Sequence, residues 1–129
     1  MIFDFLFQKE KQRAEHINRA QAKISVLEKQ REALETKRKD GLQRQVELWS
    51  ITNLDSNSEA EYLKVSALIA QLIKQIAAID EYICDVREAC ALYEKTSNAT
   101  LLEKLLAIED PWAEKIKLGT QDALPRITA

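Results

Sequence analysis

From Glu59 to Tyr93 the apolar positions recur at alternating steps of three and four: Tyr62, Val65, Ile69, Leu72, Ile76, Ile79, Ile83, Val86, Cys90 and Tyr93. The stretch contains neither Gly nor Pro. Five unbroken heptads of this kind predict a helix over 59–96 that packs in coiled-coil fashion. Upstream, Ile17, Ala20, Ile24, Leu27, Arg31, Leu34 and Arg38 repeat in the same way and predict a first helix over 9–52. At Gly41 the apolar stripe steps by one residue, to Leu42, Val46 and Trp49. That reads as a stutter, which locally unwinds a supercoil; the helix is expected to run on through Gly41, with a kink or break there as the alternative.

Between the two runs lies the turn segment 53–58, NLDSNS, whose side chains bond nearby backbone groups. Ser58 and Glu61 have the spacing of a capping box for the second helix. In an antiparallel pair folded about one loop, the numbers of facing residues share a constant total. The pairs Ile17/Tyr93, Ala20/Cys90, Ile24/Val86, Leu27/Ile83, Arg31/Ile79, Leu34/Ile76 and Arg38/Leu72 share one total. Past the stutter, Leu42/Ile69, Val46/Val65 and Trp49/Tyr62 share a total one higher. The implied centre is Asp55. The expectation is an all-α fold: a long antiparallel helical hairpin with arms of about 40 residues, or ~60 Å, in one domain spanning 1–129. Arg31 falls beside Asp80 in this register, so an ion pair is expected there, one that sets register more than stability.

Two short C-terminal helices are expected near the open end. Thr100 with Glu103 suggests one over 100–109, and Asp110 before Pro111 suggests one over 111–118. Gly119 then stops the chain ahead of an irregular tail, 119–129. The segment LEKLL, 102–106, formally matches a leucine docking pattern that recurs by chance in core helices.

All three phenylalanines lie in the apolar segment 1–8, MIFDFLFQ. The hairpin brings this segment to the open end with Tyr93, the leucine-rich helix and Trp112. The reading is an end-cap in which Phe3, Phe5, Leu6 and Phe7 close a small core. The rival is a foot on a membrane surface, with Lys9, Lys11 and Arg13 behind it. The second helix also carries more apolar surface than one partner needs. Leu63, Ala70, Ala77, Cys84 and Ala91 form a seven-spaced line, which Leu68 and Ile73 widen. A third helix or a dimer partner is expected along it.

Composition adds exclusions. Two Gly and two Pro in 129 residues leave few sharp turns for a β-rich fold. No apolar run approaches the length of a membrane span, and the terminus does not read as a signal peptide. Cys84 and Cys90 would sit roughly 9 Å apart along one helix, too far for a disulfide. Free thiols and a cytoplasmic setting follow as expectations.

The net charge is −2, with basic residues in excess before residue 50 and acidic ones after it. The densest basic patch, Lys37, Arg38, Lys39 and Arg44, has no interleaved aromatics, so nucleic acid is not an expected partner. Glu81, Asp85 and Glu88 share a face that reads as solvated. His16 is the only histidine. No Glu-x-x-His pair, Cys-x-x-Cys or glycine-rich phosphate loop is present, so no cofactor and no metal are expected. One His and two Cys do not assemble a nucleophile, base and orienting acid.

The functional expectation is a non-enzymatic protein–protein interaction module, an adaptor, assembly factor or small chaperone that self-associates. Partner-binding candidates are Phe3, Phe5, Leu6, Phe7, Leu63, Leu68, Ala70, Ile73, Ala77, Cys84, Ala91 and Trp112. The alternative is a peripheral membrane hairpin. In layout alone, this alternative resembles bacterial membrane-remodelling hairpins with an N-terminal amphipathic helix. A third reading uses Asp55, Glu59 and Glu61 as an acidic tip.

Overall fold

A computed structural model describes residues 2–51 and 55–116, with side chains from residue 6 onward. Two long helices, α1 (Ile2–Trp49) and α2 (Ser56–Thr96), fold back on each other as an antiparallel hairpin. Two short helices follow, α3 (Thr100–Leu106) and α4 (residues 111–116). No strand occurs among the described residues.

The second helix starts earlier than its heptads suggest. Asp55, rather than Ser58, is the N-cap, and its carboxylate accepts from the Ser58 N–H at 2.7 Å. Asp55 therefore satisfies a donor that the first turn would leave open. At the other end Ser97 adopts the left-handed conformation, φ 59°, and its N–H closes onto Tyr93 O at 2.8 Å. That residue breaks α2 and turns the chain back along the hairpin.

The seam of α2 is the expected one. Ile69, Leu72, Ile76, Ile79, Ile83, Val86 and Tyr93 are buried. The seam of α1 corrects the expectation past Arg38. No stutter occurs, and the three-four alternation continues through Gly41, Gln45 and Leu48. Leu48 is 1% exposed, while Val46 is 67% and Trp49 72% exposed. Gly41 does not break the helix. It is a notch, because a Cβ there would lie 3.0 Å from Ile69 Cγ1. Gln45, the polar seam residue, is satisfied by donating from Nε2 to Ser66 Oγ at 2.9 Å.

The first helix also starts earlier than expected. Residues 2–8 are its opening turns, continuous with the rest of α1.

The chain after Ser97 runs back over one flank of the hairpin. Its Leu102 is fully buried against Ala20, Tyr82, Val86, Ala89 and Tyr93, with Leu105, Leu106 and Ile108 packed around it. The expected Thr100–Glu103 capping box does not form. Asn98 Oδ1 accepts from the Thr100 N–H at 3.0 Å instead, and Glu103 turns to His16. The helix ends at Leu106, short of the expected 109. The Asp110–Pro111 start is as read: Asp110 Oδ1 accepts from the N–H groups of Trp112 at 3.0 Å and Ala113 at 3.3 Å. The expected stop at Gly119 and the tail 119–129 lie outside the described residues.

Candidate functional site

An antiparallel hairpin has two flanks, one on each side of its seam, and this chain treats them differently. One flank is closed by its own C-terminal segment. Tyr82 donates to Leu105 O at 2.5 Å. His16 meets Glu103 Oε1 through Nε2 at 3.0 Å, and its ring lies 5.3 Å from that of Tyr93. Lys23 reaches Glu109 O at 3.4 Å, and Lys115 pairs with Glu81. Tyr82 and Ala89, buried beyond the seam, pack in one cluster with Leu102 of this segment.

The opposite flank is uncovered, and half of the proposed partner-binding residues lie on it. Leu63 is 62% and Ile73 50% exposed. Ala70, Ala77, Cys84 and Ala91 are also exposed. The third helix expected along this line packs on the other side of the hairpin. Leu68, 50% exposed, stands on the flank that the C-terminal segment takes, nearer the turn. Trp112 is half-buried on that side, next to the buried Pro111.

The uncovered flank changes character along its length. Toward the open end it is an acidic groove of about 820 Å³ with Ile83, Cys84 and Ala91 in its lining. Five carboxylates line it (Glu28, Glu32, Glu35, Asp80 and Glu88) against two arginines. Both arginines are already held. Arg31 grips Asp80 through Nε at 2.5 Å and Nη2 at 3.2 Å, the ion pair the register implies. Arg87 meets Glu28 at 3.1 Å. The Asp80 carboxylate holds the Arg31 guanidinium above its ordinary range, mainly by hydrogen bonding.

Toward the turn the same flank is apolar, and α1 contributes to it. The Gln45–Ser66 bond and the Trp49–Tyr62 ring contact fix which residues of the two helices lie level near the turn, and the same offset sets Leu42 level with Ile69. Leu42 is 37% exposed, and Val46 and Trp49 more so. The Trp49 ring lies 5.9 Å from that of Tyr62 across the hairpin. The residues that imitate a shifted seam therefore belong to a second apolar face. Periodicity alone did not separate the two, because Gly41 and Gln45 interrupt the seam's apolar run at the point where the second face begins.

At the N-terminus the described side chains do not close a core. Leu6 is 49% and Phe7 69% exposed. The side chains of Phe3 and Phe5 lie outside the described residues.

The groups capable of chemistry are occupied structurally or spread apart. Both cysteines are free thiols. Burial, helped by Glu94, pushes the Cys90 thiol above its usual range, away from thiolate reactivity. No cluster of metal-ligating side chains occurs among the described residues. The acidic tip is taken up locally: Asp55 caps α2, and Glu61 pairs with Arg44 at 2.7 Å. His16, which has no chemical partner in sequence, ties α3 to α1. The hairpin register places it level with the end of α2, where the chain turns back, and that juxtaposition is the signal that could have found it.

One 18-residue window of α2 has mean hydropathy 1.3, long and apolar enough by composition to cross a membrane, with 28% of it buried. Part of that apolarity is the seam against α1 and part is the uncovered face. No family model, curated protein or solved structure matches the chain.

Proposed function

We propose that this chain is a non-enzymatic protein–protein interaction module, a helical hairpin of the adaptor, assembly-factor or small-chaperone kind that self-associates. The observation that carries the reading is the uncovered flank. Leu42, Val46, Trp49, Leu63 and Ile73 expose large apolar side chains along one side of the same hairpin. Single apolar residues scattered on a surface need no explanation, but a contiguous group of this size marks a contact site. The other flank supports the reading by example, since there the hairpin takes a leucine-rich helical segment into the equivalent position. The test is a pull-down read by mass spectrometry, with size-resolved mass measurement, on the wild type and Ile73→Glu. A charge at Ile73 is expected to remove the bound species. Identical mass and identical bound species for both proteins would refute the assignment of this face.

A second reading rests on Leu6 and Phe7, which α1 leaves exposed ahead of Lys9 and Lys11. Here the first turns of α1 are an amphipathic foot on an anionic membrane surface. Co-sedimentation with anionic vesicles is expected for the full chain and lost in Leu6→Glu/Phe7→Glu. Equal pelleting of both removes the foot.

A further inference from the structure

We infer that His16 is a proton-sensitive latch: its charged ring holds the C-terminal segment on the hairpin, and loss of the proton releases one of that segment's ties. The device lies on the covered flank and works whatever occupies the uncovered one.

The ring faces two acceptors. Nδ1 of His16 lies 2.8 Å from Gln12 O, and Nε2 lies 3.0 Å from Glu103 Oε1. A backbone carbonyl and a carboxylate both accept. A neutral imidazole has one N–H to give, whereas the charged ring has two. Only the charged ring satisfies both contacts as they stand. Deprotonation turns a ring lone pair toward an oxygen, and the two partners differ in their freedom to leave. Gln12 O is fixed within α1, one turn before His16. Glu103 stands at the surface, with its side chain 59% exposed. The neutral ring therefore keeps Gln12 O, and the Glu103 carboxylate turns into solvent.

Each element packed on the ring contributes to this balance. From α2 comes the Tyr93 ring, 5.3 Å away, and from α3 comes Glu103. On α1, Arg13 and Arg19 stand one turn to either side. Their charges oppose that of the imidazolium. Arg13, however, donates to Ser97 Oγ at 3.2 Å, and Arg19 is exposed to solvent, which screens it. Lys23, further along α1, reaches Glu109 O instead. Glu103 is the ion in direct contact with the ring.

The tie sits beside the segment's anchor. Leu102, next to Glu103, is fully buried. The Glu103 N–H donates to Ala99 O at 2.8 Å, and its carbonyl accepts from the Ala107 N–H at 3.1 Å, so holding this residue holds α3. The segment's other polar ties use Tyr82, Lys23 and Lys115. Histidine is the side chain that ordinarily titrates between about pH 5 and 8, and His16 is the only one in the chain. The tie is present below the ordinary imidazole range, about pH 6.5, and is lost as pH rises past it. Above that range the flank beneath α3, with Tyr82, Val86 and Ala89, opens more often.

The test is amide hydrogen exchange on the full chain at about pH 5.5 and about pH 8, each rate divided by the intrinsic rate at that pH. Protection at Glu103, Ala107 and Ile108 is expected to fall roughly two- to fivefold at the higher pH, the size of a part-exposed ion pair. Protection from Leu72 to Ile79 is expected to hold constant. His16→Gln, which does not titrate, is expected to remove the dependence. Glu103→Gln is expected to flatten it with α3 still docked, because the amide can turn to donate to a neutral ring or accept from a charged one. Equal protection at the two pH values in the wild type overturns the latch. So does a pH dependence that survives undiminished in either variant, or one shared equally by Leu72 to Ile79.

Discussion

Gly41 sits directly over Ile69: a Cβ added there would come within 3.0 Å of Ile69 Cγ1 and 3.5 Å of Cδ1. Glycine mid-helix costs about 1 kcal/mol relative to alanine, and here that cost lets α1 and α2 approach closely at this level. Ile69 has little room to yield, since it is 7% exposed and β-branched. Gly41→Leu is therefore expected to destabilise the hairpin by about 1–3 kcal/mol through overpacking. Gln43→Leu, exposed two residues on, is expected to stay within about 0.5 kcal/mol of wild type. Urea unfolding of the two variants decides it, and equal midpoints would mean that no notch exists.

The same place shows how far a periodic pattern can be read. The hairpin, its turn at Asp55, the α2 seam and the Arg31–Asp80 pair were all legible, because an antiparallel register needs only a constant total and one turn-rich centre. The end of the α1 seam was not. Gly41 and Gln45 carry no apolar signal, while Leu42, Val46 and Trp49 carry a strong one, so the eye follows the exposed face and leaves the buried seam. A residue's hydrophobicity states that it wants cover; it does not say which of two neighbouring stripes the fold will cover.

The partner-binding candidates divide for the same reason. Leu63, Ala70, Ile73, Ala77, Cys84 and Ala91 share a helix face by spacing alone, and the structure keeps them together. Leu68 is separated from them, and the flank taken by the C-terminal segment was illegible. That choice depends on contacts such as Leu102 with Val86 and Tyr82 with Leu105, which bridge distant parts of the sequence.

Asp55 gives the fold a pH dependence of definite sign. The backbone N–H of Ser58 is the main group holding its carboxyl below the usual range, and the Ser58 side chain adds to this. The folded state thus favours the ionised cap. Its contribution is present above the unfolded carboxyl range, near pH 4, and is lost as pH falls through the lower folded value. Asp55→Asn is expected to keep the cap, because Asn accepts the same hydrogen bond, and to flatten this part of the acid limb. Asp55→Ala should lose the cap at neutral pH as well. Melting temperatures from pH 7 to 2 check both; an Asn variant with the full wild-type acid limb would show that Asp55 is not its source.

The bond from Tyr82 to Leu105 O ties the C-terminal segment to the hairpin where α3 gives way to the turn before α4. Tyr82 is 5% exposed, and removing its hydroxyl deletes this bond while Leu105 O keeps the Ile108 N–H at 3.1 Å. Tyr82→Phe is expected to cost about 1–2 kcal/mol. The loss should be local, because the seam of α1 with α2 does not depend on that hydroxyl. Burial also pushes the Tyr82 phenol above its usual range, so the tether holds below the unfolded phenol range, near pH 10, and is lost as pH rises through the higher folded value. Amide hydrogen exchange resolves the location. Faster exchange at Leu106, Ala107 and Ile108, with Leu72 to Ile79 unchanged, is the expected pattern, along with loss of the alkaline weakening in the Phe variant. Uniformly faster exchange throughout α2 would instead mean that the C-terminal segment and the hairpin fold as one cooperative unit, and the division between a self-standing hairpin and a docked segment would have to be given up.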